Sequence, residues 1–436
     1  MPAREWVRAG PVTVAAAERP PARFPNPAAP PVPRTTFSTV TDFRVATATF
    51  SALLLVPAVT VGPPARAAAA PSVACPAVPP PVPPPTAPAP PPVDPADGAV
   101  GGEALATAGL VIPAGAPNAP AVTATSWLVA DLNSGVVLGG CGPHERRTPA
   151  SVQKLLLAAA LMPRLDPNQV VEATRADLED LDSASSLMGV VPGGRYSVES
   201  LWLGLLLRSG NDAANVLARV GGGTAGRQGG VQAMNDEARR LHANQTHAAT
   251  PSGLDGPGQY TSAYDLALIA RATFAREDFR RYVATRAAQV STQLPFEIRN
   301  ENTLLDSYPG MLGGKTGFTD LARQTYVGVA ERDGRRLVVA LLGAETAPLG
   351  SLGEALALLN WGFALPADAS VGRLVAPGED KHDSLAVAAE GRGHDRIGTS
   401  RSFPVPVALS LAAALVLAVL LLVAWRAGVR RSARRR

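Results

Sequence analysis

From Ser402 to Trp425 the chain runs for 24 residues without a charge, "SFPVPVALSLAAALVLAVLLLVAW", and the eleven residues after it hold six arginines. A run of that length crosses the roughly 30 Å hydrocarbon core of a bilayer as a helix. A boundary tryptophan followed by arginines fits an interfacial anchor with a cytoplasmic end. The competing reading, a helix buried in a core, needs a large domain around it. A second apolar run, Val45–Val61, follows Arg44 and precedes "ARAAAA", with small residues at Ala65 and Ala67. That is the layout of a secretory signal peptide, although its 44-residue lead is long for one. Translation starting near Val40, or an uncleaved signal anchor, would each account for the lead. Both apolar runs confine the globular part to the middle of the chain and place it on the exported side of a membrane.

Composition divides the rest. Twelve of the 21 residues from Cys75 to Pro95 are proline, which favours an extended polyproline II spacer over a packed element. The expected organisation is an N-terminal extension with signal peptide or signal anchor over 1–70 and a Pro-rich linker over 71–122. An ordered domain over 123–364 and a polar tether over 365–402 follow. A transmembrane helix over 403–425 and an Arg-rich tail over 426–436 complete it. The formal charge of +4 comes from that tail, and the remainder is slightly acidic, so no nucleic-acid partner is expected. The two cysteines, Cys75 and Cys141, form a disulfide in an oxidising compartment or remain two thiols; a lipidated Cys75 lacks the large aliphatic residue three before it. The five histidines fit no zinc spacing, so no metal and no cofactor is expected.

Within the domain, "TSWLVADLNSGVVLGG" reads as two strands joined at Asn133-Ser134-Gly135. "SVQKLLLAAALMPRL" reads as a helix with Pro149 just ahead of it. "SVESLWLGLLLRSGNDAANVLARVG" gives two helices broken at "RSGN". "RQTYVGVAERDGRRLVVALLGA" is a hairpin turning at Asp333-Gly334, and "SLGEALALLNWGFA" is a closing helix. Strands at both ends around a helical middle give an α/β or α+β domain with antiparallel strands.

The stretch "GMLGGKTGFT", Gly310 to Thr319, admits two readings. A phosphate loop needs G-x-x-x-x-G-K-[ST], but the position six before Lys315 is Pro309, and Gly310 makes the loop one residue short. The residues that follow favour strand over the helix a phosphate loop requires. Lysine is also scarce: Lys154, Lys315 and Lys381 stand against 37 arginines. Arginine keeps its proton in proteins, whereas a buried lysine can be tuned to act as a base. Lys154 lies three residues after Ser151, so hydroxyl and amine share a helix face, and a nearby amine turns a serine into a nucleophile. Ser209 and Asn211 lie in the break between two helices, where Ser, Gly and Asn are also ordinary turn residues.

The order S-x-x-K, S-x-N, K-T-G, at Ser151, Ser209 and Lys315, resembles the serine penicillin-binding and β-lactamase superfamily. The stretches "RTPASVQKLLLA", "LLLRSGNDAANVLA", "TPSGLDGPGQYTSAYDLALIAR" and "NENTLLDSYPGMLGGKTGFT" resemble its D-alanyl-D-alanine carboxypeptidases, the low-molecular-mass penicillin-binding proteins (peptidase family S11). The resemblance implies a β-lactamase/transpeptidase-like fold, an antiparallel sheet flanked by helices with an all-helical subdomain. It implies Ser151 as nucleophile, Lys154 as its base, and Ser209 as a relay to the leaving nitrogen. Asn211 would hold the substrate amide, and Lys315 and Thr316 the terminal carboxylate. Gly317 would lie behind that pair, with the backbone N–H groups of Ser151 and Phe318 as oxyanion hole. The implied partners are peptidoglycan stem peptides ending in D-Ala-D-Ala, β-lactam antibiotics, and the membrane through the C-terminal helix.

Trp127 and Trp202 are expected in the core, Gly253, Leu254 and Asp265 in the site wall and its packing, and Asp320 and Arg323 in a turn. Some relatives carry an arginine beyond the last hairpin. Here no basic residue lies between Arg336 and Arg373, so carboxylate binding rests on Lys315. A class A β-lactamase would carry a deacylating Glu in E-x-x-L-N, which Glu237, Glu277, Glu297 and Glu301 do not fit. A D,D-endopeptidase would share the same motifs. So would an inactive peptidoglycan-binding protein of this fold, although the intact set of Ser151, Lys154, Ser209 and Lys315 argues against it.

Overall fold

The computed structural model describes residues 72–379, apart from positions 82, 84, 86–89, 182–184 and 291–295. The expected signal segment (1–70), transmembrane helix (403–425) and Arg-rich tail (426–436) lie outside the described residues, as does the tether beyond residue 379. Among the described residues no helix is long and apolar enough to cross a membrane.

The strands in chain order are β1 Leu110–Val111, β2 Ser126–Asp131, β3 Val136–Cys141, β4 Val170–Glu172, β5 Arg195–Ser197, β6 Ala287–Val290, β7 Phe296–Arg299, β8 Met311–Thr319, β9 Arg323–Arg332, β10 Arg335–Ala344 and β11 Gly372–Arg373. The helices are α1 Pro95–Gly98, α2 Lys154–Leu161, α3 Val198–Leu207, α4 Asn211–Gly221, α5 Gly226–Arg240, α6 Ala263–Phe274, α7 Glu277–Val283, α8 Leu304–Ser307 and α9 Gly350–Ala364. The main sheet runs β1-β3-β2-β10-β9-β8, with β11 also on β3, and every pair in it is antiparallel. β4–β5 and β6–β7 are separate two-stranded ribbons.

Local chemistry sets the hairpins. Asp131 accepts from the backbone N–H groups of Asn133 (2.8 Å) and Ser134 (3.0 Å), closing the β2–β3 turn. Asp333 and Gly334 both take positive φ, 50° and 76°, the backbone a two-residue hairpin turn requires. Alternation along the strands then divides the core. Leu337, Val339 and Leu341 of β10 pack on the face that α9 covers with Ala355, Leu358 and Trp361. Val338, Ala340 and Leu342 face the other helices. Period-two patterning thus gives three layers: α9, sheet, helical body. Trp127 and Trp202 are core residues, as expected. All eight residues of α2 are buried, so this helix is apolar all round except at its first residue, Lys154.

The sheet extends past the expected span of 123–364. Leu110 and Val111 pair with Cys141 and Gly140, and Gly372 and Arg373 pair with Val137 and Val136. Two-residue pairings carry no readable period, which is why composition drew the ends too tightly. The Pro-rich segment is also docked at its start rather than wholly extended away. Val78 N–H donates to Val122 (2.9 Å), and Cys75 is disulfide-bonded to Cys141 with Cα atoms 5.9 Å apart.

Candidate active site

Ser151 stands on a single 3₁₀ turn, Ala150–Gln153, that leads directly into α2. One turn later Lys154 is fully buried, and its Nζ lies 2.6 Å from Ser151 Oγ, 2.7 Å from Asn211 Oδ1 and 2.7 Å from the Ser252 carbonyl. Asn211 Oδ1 and the carbonyl can only accept, so two N–H bonds of the amine go to them. A neutral amine then has one lone pair left, and the Ser151 hydroxyl is the group positioned to give it a proton. Burial, reinforced by the neighbouring Lys315 cation, holds the Lys154 ammonium well below the usual lysine range. Desolvation and hydrogen bonding therefore favour the same species, a neutral amine facing a serine hydroxyl.

Ser209 and Asn211 arrive on the break between α3 and α4. Ser209 has φ 59° and is buried. The break is held by Asp212, whose carboxylate accepts from the N–H groups of Met188 (3.0 Å), Gly189 (2.9 Å), Val190 (2.8 Å) and Ala213 (2.9 Å). Asn211 N–H donates to the Ser186 carbonyl (2.8 Å).

β8 supplies the opposite wall. Its only sheet partner among the described residues is β9, so one edge of Lys315–Phe318 is open to pairing. The strand is no phosphate loop: "MLGGKTGFT" is extended throughout, as its β-branched sequel required. A register shift between Met311 and Gly313, with Gly313 at φ 138°, bends it into place. Gly317 is required by close approach, since a Cβ there would stand 2.4 Å from Thr325 Oγ1 and 2.8 Å from Ser151 N. Thr325 Oγ1 in turn donates to the Pro149 carbonyl (2.9 Å), fixing the turn that carries Ser151 to β9. Lys315 is buried and donates to the Thr316 carbonyl (2.7 Å). Burial lowers its pKa to about 8, with Glu301 opposing the shift.

Ser151, Ser209, Asn211, Thr316, Gly317 and Phe318 line one cleft of about 450 Å³. Lys154 and Lys315 lie buried beneath it, so all eight residues singled out from the sequence converge. Gly253 and Leu254 also line the cleft, and Asp265 instead packs α6, accepting from Gln245 N–H (2.7 Å) and Thr246 Oγ1 (2.7 Å). Arg323 is paired with Glu345, the residue directly after β10 (2.6 Å). Sequence reasoning did not single out Ser252, Asp212 or Thr325. Ser252 acts through its carbonyl, which no side-chain pattern announces; the acid directly after S-x-N was a signal for Asp212. Glu301, set aside on motif grounds, also lines the cleft. Among the described residues no group of three His, Cys, Asp or Glu is arranged to hold a metal.

The family model for D-alanyl-D-alanine carboxypeptidase, peptidase S11, matches residues 114–346. The chain belongs to this family. The D-alanyl-D-alanine carboxypeptidase DacB2 of Mycobacterium tuberculosis is 44% identical over 269 residues, covering 61% of this chain and 90% of the relative. DacD of Escherichia coli is 35% identical over 254 residues, covering 56% and 64%. The crystal structure of a Mycobacterium tuberculosis D-alanyl-D-alanine carboxypeptidase superposes with a TM-score of 0.57 at 43% identity, over 61% of this chain and all of that one. A mutant of a Streptomyces DD-transpeptidase gives 0.54 at 28% identity, over 56% and 100%. The mixed α/β fold with its antiparallel sheet is the transpeptidase-like fold. The protein is a serine-type D-alanyl-D-alanine carboxypeptidase.

Proposed function

We propose that the carboxypeptidase cleaves the terminal D-alanine from peptidoglycan stem peptides with Ser151 as nucleophile and neutral Lys154 as its base. The observation that carries this is the three-way contact of Lys154 Nζ, which leaves its lone pair for the Ser151 proton. Ser151 Oγ attacks the penultimate carbonyl as its proton passes to Lys154. The oxyanion is met by the backbone N–H groups of Ser151 and Phe318, two residues that line the same cleft. Ser209 relays the proton from Lys154 to the leaving nitrogen as the C–N bond breaks. Asn211 steadies the substrate amide with the nitrogen its Lys154 contact does not use. Lys315 and Thr316 receive the free carboxylate, with Gly317 leaving room for the strand to approach. Water then hydrolyses the acyl-enzyme, Lys154 again taking the proton.

A β-lactam offers the same carbonyl and carboxylate and acylates Ser151. We place the domain on the outer face of the cell membrane, on the strength of the apolar run Ser402–Trp425 and the arginines after it. Fluorescent-penicillin labelling of wild type and Ser151→Ala, with D-alanine release from a diacyl-D-Ala-D-Ala peptide, tests the chemistry. Labelling that survives the substitution removes Ser151 as nucleophile. Membrane fractionation of the full chain against one ending at Arg401 tests the anchor; unchanged sedimentation of the shortened chain refutes it.

A further inference from the structure

The departing amino acid carries two charged ends once it has left, and only its carboxylate has so far been given a partner. Glu301 is the one acidic side chain among the described residues that line the cleft. Its place is built, not incidental. Its backbone N–H donates to the Leu207 carbonyl (3.0 Å), next to the turn that carries Ser209. The loop before it is pinned by Asn300, which donates to the carbonyls of Val283 (3.2 Å) and Thr285 (2.9 Å) and accepts from Asn302 N–H (2.9 Å).

The Glu301 carboxylate lies 3.8 Å from Arg208 Nη1, and its side chain is 36% exposed. That is a loose pair, about 1 Å longer than a charge-assisted hydrogen bond, so Arg208 does not consume the carboxylate's accepting capacity. Glu301 also acts electrostatically on both buried lysines, Lys154 and Lys315. It shares its cleft with Ser151 and Ser209 on the base side and with Thr316, next to Lys315, on the carboxylate side. In the reading proposed above, the span between the two sides holds the leaving D-alanine.

We infer that Glu301 is the ammonium subsite for the leaving group, so that the cleft binds the free amino acid as a zwitterion between Glu301 and Lys315. The balance is simple. When the C–N bond breaks, the nitrogen takes the proton relayed from Lys154; the resulting amine takes a second from water, and Glu301 meets the ammonium. By microscopic reversibility the same carboxylate draws amino-acid amines, rather than hydroxy acids, to the acyl-enzyme.

The inference rests on Lys315 holding the carboxylate, and the test separates the two claims. D-alanine and D-lactate, which differ at the ammonium, are competed against acylation of Ser151 by a fluorescent penicillin. Wild type, Glu301→Gln and Lys315→Ala are compared, with thermal melting to confirm folding. D-alanine should compete about tenfold better than D-lactate in wild type, the scale of one hydrogen bond to a charged group. Glu301→Gln should bring the ratio of D-alanine to D-lactate competition to about one, and Lys315→Ala should weaken both. Equal competition by the two acids in wild type, or an advantage that survives Glu301→Gln, overturns the inference. So does slower release of the penicilloyl group by Glu301→Gln with the D-alanine advantage intact, which would assign the carboxylate to water. Undiminished D-lactate competition in Lys315→Ala instead overturns the carboxylate assignment.

Discussion

In the proposed mechanism Lys315 has a task opposite to that of Lys154: it must keep its proton to attract a carboxylate, although burial pulls its pKa down to about 8. In the free enzyme it is therefore charged below pH 8 and loses its proton above it. The value of kcat/KM reports free-enzyme groups. For a peptide with a free C-terminus it should fall about tenfold from pH 7 to pH 9, as the charged fraction drops from about nine-tenths to about one-tenth. Each further unit removes about 1.4 kcal/mol of interaction. Burial holds the Lys154 ammonium well below the usual lysine range, and any loss from its titration is common to both substrates and cancels in their comparison. The assay is D-alanine release from diacyl-D-Ala-D-Ala across this range, beside D-alaninamide release from the corresponding C-terminal amide. The amide should turn over poorly at every pH and show no alkaline fall. An identical fall for both substrates, or no fall for the acid, would refute the assignment of Lys315 to the carboxylate.

Three further outcomes follow from the packing. Gly317→Ala places a Cβ 2.8 Å from Ser151 N; overpacking of about 1–3 kcal/mol should abolish penicillin acylation in stopped-flow while the domain still melts cooperatively. Glu354→Ala removes the acceptor for Thr123 N–H (2.7 Å), Thr123 Oγ1 and Ala124 N–H (3.1 Å), and should cost about 2–4 kcal/mol in urea unfolding with acylation of the folded fraction unchanged. His144 donates from Nε2 to the Val100 carbonyl (3.0 Å), while its buried Nδ1 has no partner, and burial lowers its pKa to about 4. The unfolded chain takes up that proton first, so stability is present above pH 6.5 and is lost as pH falls through 4. The loss is up to about 3 kcal/mol, and His144→Gln should flatten it in denaturant titrations.

The hairpins at Asn133–Gly135 and Asp333–Gly334, the α3–α4 break and the closing helix were legible because each rests on neighbours in sequence. So was the strand character of "MLGGKTGFT", decided by β-branched residues and by Pro309 standing where a phosphate loop needs glycine. The outermost pairings were not legible. β1 and β11 are two residues each and exist only because β3 offers a free edge to them. Nor was the disulfide, since Cys75 and Cys141 are 66 residues apart and nothing local sets their distance.

By itself the sequence determined which side chains meet at the cleft: three short motifs in order, in a chain so poor in lysine that two of its three lie there. It also determined that Ser151 and Lys154 meet, because i and i+3 lie on one helix face whatever surrounds them. Only the tertiary structure decided the state of those groups. Lys154 is suited to the proposed role of base because α2 is buried on every side and because Asn211 and Ser252, 57 and 98 residues away, take its two N–H bonds. Desolvation belongs to the surroundings of a side chain rather than to its neighbours in the chain. For the same reason Glu301, unremarkable as a letter between two asparagines, gains its proposed role only where folding sets it in the wall of the cleft.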